Sequence, residues 1–380
     1  MIIFLNFYNL FCIFFEWYIQ APIVIFFTID TPKTDKNIFL QKIRTFAPRN
    51  FDFIMVLTER IFSIKTSEDF QNVALAIFRY QYKYNPVYQS FCNYLNRNPE
   101  QVNSVNEIPF LPIEFFKTKT IISGTQKSSK IFTSSGTTGS NTSKHYVKDI
   151  SIYEKSFRQG FRHFYANETN YAFLALLPAY LERTGSSLTY MVDDLIKRSK
   201  NTQSGFFLHN LDQLAEKLHF LEETEQKTIL IGVSFALLDL VEKYNFSLKN
   251  TIVMETGGMK GRRKELIRED LHHILKQGFG TESIHSEYGM TELLSQAYSS
   301  GNGIFRSVPW MQILIRDVND PLSYQPFGKS GGVNIIDLAN VHSCSFIATQ
   351  DLGRAFQDGS FEILGRFDHA DIRGCNLMVL

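Results

Sequence analysis

Cysteine is scarce and unpatterned in this chain: Cys12, Cys92, Cys344 and Cys375 are the only four in 380 residues, and none stands in CxxC spacing. That argues against a structural zinc site or a disulfide framework and fits a reducing cytoplasm. Net charge is nearly absent as well. Lys plus Arg number 39 against 38 Asp plus Glu, a formal +1, so no overall field favours nucleic acid or an anionic membrane. A long uninterrupted apolar run is also missing. Residues 1–28, MIIFLNFYNLFCIFFEWYIQAPIVIFFT, come nearest, but Asn6, Asn9, Glu16 and Gln20 break the run well short of the ~20 apolar residues a spanning helix needs. No basic segment opens it in the manner of a signal peptide. From Met55 the text MVLTERIFSIKTSEDFQ follows a conventional soluble pattern. The chain therefore divides into a doubtful N-terminal extension, 1–54, for which a start at Met55 is the favoured explanation, and a domain over 55–380. A membrane anchor is the runner-up, and any membrane contact depends on residues 1–28.

What is plentiful is aromatic and apolar material, 14% aromatic with 35 Phe, in a length sufficient for one large α/β domain. From Ser67, which is available as a cap, Phe70, Val73, Ala74, Ile77, Phe78 and Tyr82 recur at helical spacing and predict a core helix. A second aromatic helix follows Pro86, and IPFLPIEFFKTK (108–119) reads as a Pro-stiffened connector. Asp149 can cap a helix through Tyr153, Phe157 and Phe161. Beyond it YAFLALLP, SGFFLH, KTILIGVS and NTIVMETGG predict short buried strands, with helices near 186–199, 210–223, 234–245 and 262–277 between them. That rhythm predicts an α/β fold with predominantly parallel sheet and helices on both faces, with ligands at the carboxyl ends of the strands. MQILIRD, GGVNIIDL, SCSFIAT and SFEILGR predict a smaller β-rich C-terminal part.

Chemistry concentrates in a few stretches. Residues 133–144, TSSGTTGSNTSK, place Gly136 and Gly139 where backbone amides can turn toward an anion, add hydroxyls from Ser134, Ser135, Thr137 and Thr138, and follow them with the point charge of Lys144. The spacing is not GxxxxGK[ST], and a flexible Ser/Thr/Gly linker is the alternative. This stretch is expected to lie between an extended segment and the helix capped by Asp149. Gly257 and Gly258 after NTIVMET permit close backbone approach to a planar ligand or make an ordinary turn. Tyr288 offers a flat face, Thr291 a hydroxyl and Glu292 a carboxylate suited to a divalent metal, or Thr and Glu cap a helix locally. Asp351 past SFIAT is expected to be an exposed carboxylate able to accept from two ribose hydroxyls, or a turn residue. Cys344 fits a buried strand position, His285 a packed histidine, and His272 and His273 a helix surface. Leu176, Leu177, Pro178, Ala179 and Tyr180 are plausible walls of an apolar channel. Cys375, flanked by Leu377, Met378 and Val379, reads either as a small core residue or as a reactive thiol.

The order TSSGTTG with its following Lys, a Gly pair, YGMTE, an Asp after a strand, then GRFD resembles the adenylate-forming ligases over about residues 130–370. The resemblance implies that ATP phosphates sit on Ser134, Ser135, Gly136, Thr137, Thr138, Gly139 and Lys144, and adenine on Gly257, Gly258 and Tyr288. It implies Mg²⁺ on Glu292 beside Thr291, ribose on Asp351, and a nucleotide contact from Arg366. FRYQYKYNPVY, IPFLPIEFFK and the ending DIRGCNLMVL resemble the acyl-protein synthetase family (LuxE type) over about 55–380. That family lacks the mobile C-terminal domain and its lysine, and the chain stops at Leu380. It implies a long-chain fatty acid activated as acyl-AMP, passage of the acyl group to Cys375 as a thioester, and an acyl-accepting or reductase protein partner. The competing readings are an acyl-CoA or acyl-carrier ligase of the phenylacetate-CoA-ligase-like type with Cys375 structural, and a silent ligase-fold scaffold.

Overall fold

A computed structural model describes residues 4–7, 10–15, 23–28, 49–125, 127–134, 142–177, 185–208, 210–257 and 266–367, with side chains from 54 onward. Met1–Val56 and Leu57–Leu380 form two compact units. In the first, β1 (Phe4–Phe7), β2 (Leu10–Phe15) and β3 (Ile23–Thr28) pair antiparallel in that order. The helix Arg49–Ile61 crosses the division in sequence and runs through Met55. Among the described residues no helix is long and apolar enough to cross a membrane.

The second unit begins with the expected core helix, Ser67–Tyr84, which buries Phe70, Val73, Ala74, Ile77 and Phe78. Each large side chain so buried contributes roughly 1.5–3 kcal/mol. Its cap is Thr66 rather than Ser67. The Thr66 hydroxyl accepts from the Asp69 amide while the Asp69 carboxylate accepts from the Thr66 amide, a reciprocal box that Ser67, one residue late, cannot make. Pro86–Tyr94 follows, with Pro at the first turn, where its missing N–H costs nothing.

Twelve strands then build one sheet. β7 (Ala172–Leu176), β8 (Gly205–Phe207), β9 (Thr228–Val233), β10 (Thr251–Thr256) and β11 (His285–Tyr288) are parallel, in the order β8-β7-β9-β10-β11. β7 and β9 are buried at every position, which requires cover on both faces and explains their continuous apolar runs. The helices between them, Ser187–Ser199, Leu211–Glu223 and Ser234–Lys243, fall where the periodicity places them, while Arg268–Phe279 begins later than the expected 262.

From β11 the same sheet continues antiparallel through β12 (Ala297–Ser299), β13 (Ile304–Ser307), β17 (Phe361–Arg366), β16 (Phe346–Ala355), β15 (Ser330–Asp337) and β14 (Met311–Arg316). The short β4 (Leu111–Pro112) of the Pro-stiffened connector pairs parallel with β16. The α/β class holds, and the β-rich C-terminal part is the far half of one continuous sheet. β14 alternates buried and exposed positions, the pattern of an antiparallel strand with one wet face.

The segment between β15 and β16 is heavily tied by buried hydrogen bonds. Asp337 Oδ2 accepts from the amides of Leu294 and Ser295 at 2.7 and 2.9 Å, and Oδ1 from the Ser295 hydroxyl and the Ala339 amide at 2.6 and 3.1 Å. Buried Gln81 donates to the carbonyls of Asn340 and Val341 and accepts from the Ser345 amide. Asn85 donates to the Ser343 carbonyl.

Candidate active site

The Ser/Thr/Gly stretch falls, in sequence, between two paired strands. β5 (Lys130–Thr133) pairs antiparallel with β6 (Lys144–Val147), placing Thr133 opposite Lys144. Helix Ile150–Tyr165, capped by Asp149 as expected, begins only after β6. The expectation of a loop set directly between an extended segment and that helix is thereby corrected: KHYV is a strand because it alternates, with His145 and Val147 buried and Lys144 exposed. Ser134 closes the hairpin neck. Its amide donates to the Ser143 carbonyl, and its hydroxyl accepts from the Ser143 amide at 2.9 Å. Ser135, Gly136, Thr137, Thr138 and Gly139 lie outside the described residues, as do Gly258, Cys375 and positions 178–180 of the proposed channel. Leu176 and Leu177 are buried.

The neck reaches the YGMTE segment. The Ser143 hydroxyl is close enough to the Glu292 carboxyl to lower its pKa, but burial dominates and holds it above the usual carboxylate range. Two buried groups fix this segment's backbone. His145 Nδ1 donates to the Thr291 carbonyl at 2.8 Å while Nε2 accepts from the Ser343 hydroxyl at 2.8 Å, and Asn340 Nδ2 donates to the Glu292 carbonyl at 2.8 Å. Burial drives the His145 pKa down to about 4, so the ring is neutral and can play both roles at once. Sequence reading passed over His145, Asn340 and Asp337. The one available signal was a polar side chain at an inward position of an otherwise apolar strand or strand end.

Beside this, Tyr288 donates its hydroxyl to Asp351 Oδ2 at 2.6 Å, and Arg366 Nε stands 3.2 Å from Asp351 Oδ1. Register explains the pair, since Asp351 and Arg366 are directly opposite on β16 and β17. Asp351 is therefore buried at 6% exposure and engaged, not the exposed carboxylate that a turn position suggested. Tyr288 is likewise enclosed by Phe305 and Phe361, and burial pushes its hydroxyl pKa well up. Gly257 follows β10 with no described atom near where a Cβ would stand, so a ligand can approach the backbone there.

His272 is a second correction. It is buried, with Nε2 3.6 Å from Glu255 Oε1, while His273 is exposed as expected. Burial alone would raise the Glu255 pKa, but His272, Arg268 and Ser286 outweigh it and the carboxyl is lowered. The charged text of that helix hid the one inward histidine, because charges flank it on both sides. His285 packs against Tyr165, and Cys344 is fully buried, both as expected. Burial pushes the thiols of Cys344 and Cys92 up, which makes both poor nucleophiles at neutral pH.

The family model described as "Acyl-protein synthetase, LuxE" matches residues 52–160, the stretch from before the core helix through the hairpin into the helix after it. The long-chain-fatty-acid–luciferin-component ligase of Vibrio harveyi is 22% identical over 363 residues, covering 86% of this chain and 91% of that protein. The chain is similar to the LuxE-type ligases. Its fold is shared with ligases of known structure. A 2-hydroxyisobutyryl-CoA ligase solved with 2-HIB-AMP and CoA superposes with a TM-score of 0.60 at 13% identity, over 80% of this chain and 70% of that one. Against ATP-bound MatB from Rhodopseudomonas palustris the TM-score is 0.48 at 17% identity over 62% of this chain, which spans only 47% of that structure.

Proposed function

We propose that this chain joins a long-chain fatty acid to the AMP of ATP, expelling pyrophosphate, and then passes the acyl group to the thiol of Cys375. The observation that carries the reading is the meeting, at the strand ends, of the hairpin neck at Ser143 with Glu292, alongside the Tyr288–Asp351–Arg366 chain. A carboxylate resists nucleophiles because its leaving group would be oxide, so activation must come first. Lys144, exposed at the hairpin neck, is placed to set a cation against phosphate as charge builds on it. Arg366, 69% exposed, holds Asp351 with one nitrogen and has others free to turn to a nucleotide. Asp351 would then accept from ribose, and Gly257 would admit the base.

The donor set fits Mg²⁺. Among the described residues no group of three His, Cys, Asp or Glu gathers as a protein cage, and a lone desolvated carboxylate, Glu292, is what a magnesium ion shared with phosphates requires. Bound there, the ion would neutralise phosphate charge.

In the second step the thiolate attacks the acyl carbon, a C–S bond forms, the bond to the phosphate-bearing oxygen breaks and AMP leaves. Cys92 and Cys344 are unsuited by burial, and the acyl-protein synthetase resemblance supports Cys375 as the acceptor.

Acid-dependent exchange of pyrophosphate with ATP is the test, and Lys144→Ala should lower it by about 10- to 100-fold. Exchange in the variant equal to wild type would remove the loop's assigned role. Cys375→Ser should keep exchange and lose the covalent acyl label that mass spectrometry detects after incubation with ATP and fatty acid. A label surviving at full occupancy would sink the acyl-cysteine step, and AMP release dependent on coenzyme A would redirect the second step to that thiol.

A further inference from the structure

Arg316, at the end of β14, reaches across β15 to β16, and none of the roles assigned above uses it. Its Nη1 donates to the Val333 carbonyl at 2.8 Å and to Asn334 Oδ1 at 2.9 Å, and its Nη2 donates to the Thr349 carbonyl at 2.5 Å. All three acceptors are neutral. The pairing of β15 with β16 shifts register between Gly332 and Asn334, so the ladder skips Val333, whose carbonyl accepts from Arg316 and from the Thr349 hydroxyl instead. Gly332 leaves the slot for the guanidinium. A Cβ there would stand 2.5 Å from Arg316 Cζ and 2.7 Å from Nε, so a larger residue would displace it. The ring of Phe367, the residue after Arg366, has its centroid 5.7 Å from Cζ. Thr349 relays this clip to Asp351. Its hydroxyl donates to the Val333 carbonyl at 2.9 Å and accepts from the Asp351 amide at 3.1 Å. Thr349 is 2% exposed and Asn334 1%, so these bonds form away from water. The Phe367 amide donates to the carbonyl of Gln350, between Thr349 and Asp351, at 2.8 Å.

We infer that Arg316 is a positioning residue for the nucleotide: its fork on Thr349 and its contact with Phe367 fix the backbone on either side of the Asp351–Arg366 pair, so that ribose meets one carboxylate geometry. This rests on the ribose role proposed for Asp351 and adds a residue that acts only through its neighbours. The flanks match. Thr349 lies two residues before Asp351 and Phe367 one after Arg366, and Asp351 and Arg366 are opposite in register. The choice of arginine points the same way. Taking a cation out of water is costly, and burial lowers the Arg316 pKa against the pull of Glu114 and Asp351. A clip for stability alone could be built from apolar side chains, whereas acceptors spread over two strands match the rigid donor fork of a guanidinium. Lysine, a point charge on a flexible stem, cannot span them.

The experiment compares ATP with 2′-deoxy-ATP and 3′-deoxy-ATP in acid-dependent pyrophosphate exchange on the wild type, Arg316→Lys and Thr349→Val, at a temperature where circular dichroism shows each protein folded. The wild type should favour ATP over at least one deoxy nucleotide by about 10-fold or more in kcat/KM. Arg316→Lys should raise KM for ATP by about 10-fold with kcat within about twofold, because ground-state and transition-state binding are lost together, and should cut the preference below about threefold. Thr349→Val, which breaks the relay and leaves Arg316 in place, should do the same, and it carries the test if Arg316→Lys does not fold. A preference that folded Arg316→Lys keeps would overturn the inference. So would a loss equal on all three nucleotides, which is what a merely structural clip would give. A wild type indifferent to both deoxy nucleotides would fail the ribose role of Asp351 itself, and the inference with it. Where no exchange occurs at all, the adenylating reading fails and calorimetric binding of the same nucleotides decides. A wild-type preference erased in the variants then supports the inference, and equal wild-type affinities or a persisting preference overturn it.

Discussion

Glu292→Gln is expected to lower acid-dependent pyrophosphate exchange by about 100-fold while leaving the melting temperature at pH 8 unchanged or raised. The two halves of that outcome have one cause. Burial lifts the Glu292 pKa above its ordinary 4.5, which means the fold pays to keep this group ionised. The sign follows directly. Below the unfolded value the group is protonated in both states and no penalty exists. The penalty grows as pH rises from there through the folded value, and it is fully present at pH 8. Removing the charge with a side chain of the same size relieves it. A carboxylate kept at such cost, with its backbone carbonyl held by Asn340 and its neighbour's by His145, fits the cation-binding role proposed for it better than a stabilising one. In the wild type, exchange should fall as pH drops through the raised value, because the protonated acid no longer offers a negative charge. A pH series of exchange rates beside thermal melts of both proteins checks this. A variant that loses stability and exchange in proportion would assign Glu292 to the fold alone.

Asp337→Ala should do the opposite and destabilise the protein by about 3–5 kcal/mol. Three backbone amides and a hydroxyl converge on this one buried carboxylate, and alanine would strand all four donors away from water. Two of the amides belong to Leu294 and Ser295, two and three residues after Glu292, so the loss also frees the segment on which the proposed site depends. Denaturant unfolding measures the effect, and a midpoint within experimental error of wild type would contradict it. Exchange at low temperature, where the variant stays folded, should still fall, because Thr291 and Glu292 lose part of the frame that sets their direction.

Set beside one another, these two carboxylates show what could be read in advance. YGMTE singled out Glu292 as a candidate carboxylate for a divalent metal, with local helix capping as the alternative. Asp337 closes GGVNIID, and nothing local distinguishes it from an acid that ends a strand and meets solvent. Its importance lies in residues more than forty positions away. His272 was misplaced for a related reason: helical periodicity places a side chain on a face but does not say what packs over it.

The sequence by itself determined the elements and the inventory. Continuous apolar runs specify strands buried on both faces, alternation specifies the strand with one wet face, and Asp149 and the proline at 86 set helix starts. Those are short-range effects of side-chain period, capping and fixed φ, and a single chain carries them in full. Tertiary structure alone decided which groups share a volume. It joined the parallel and antiparallel halves into one sheet, set Asp351 against Arg366 by register, and brought the neck of the hairpin at Ser143 to Glu292. Such pairings depend on loop closures and strand register over tens to hundreds of residues, whose energy lies in contacts that no local window contains. The residue types stated the chemistry available, and burial then set the direction in which the buried carboxyls' pKa values move.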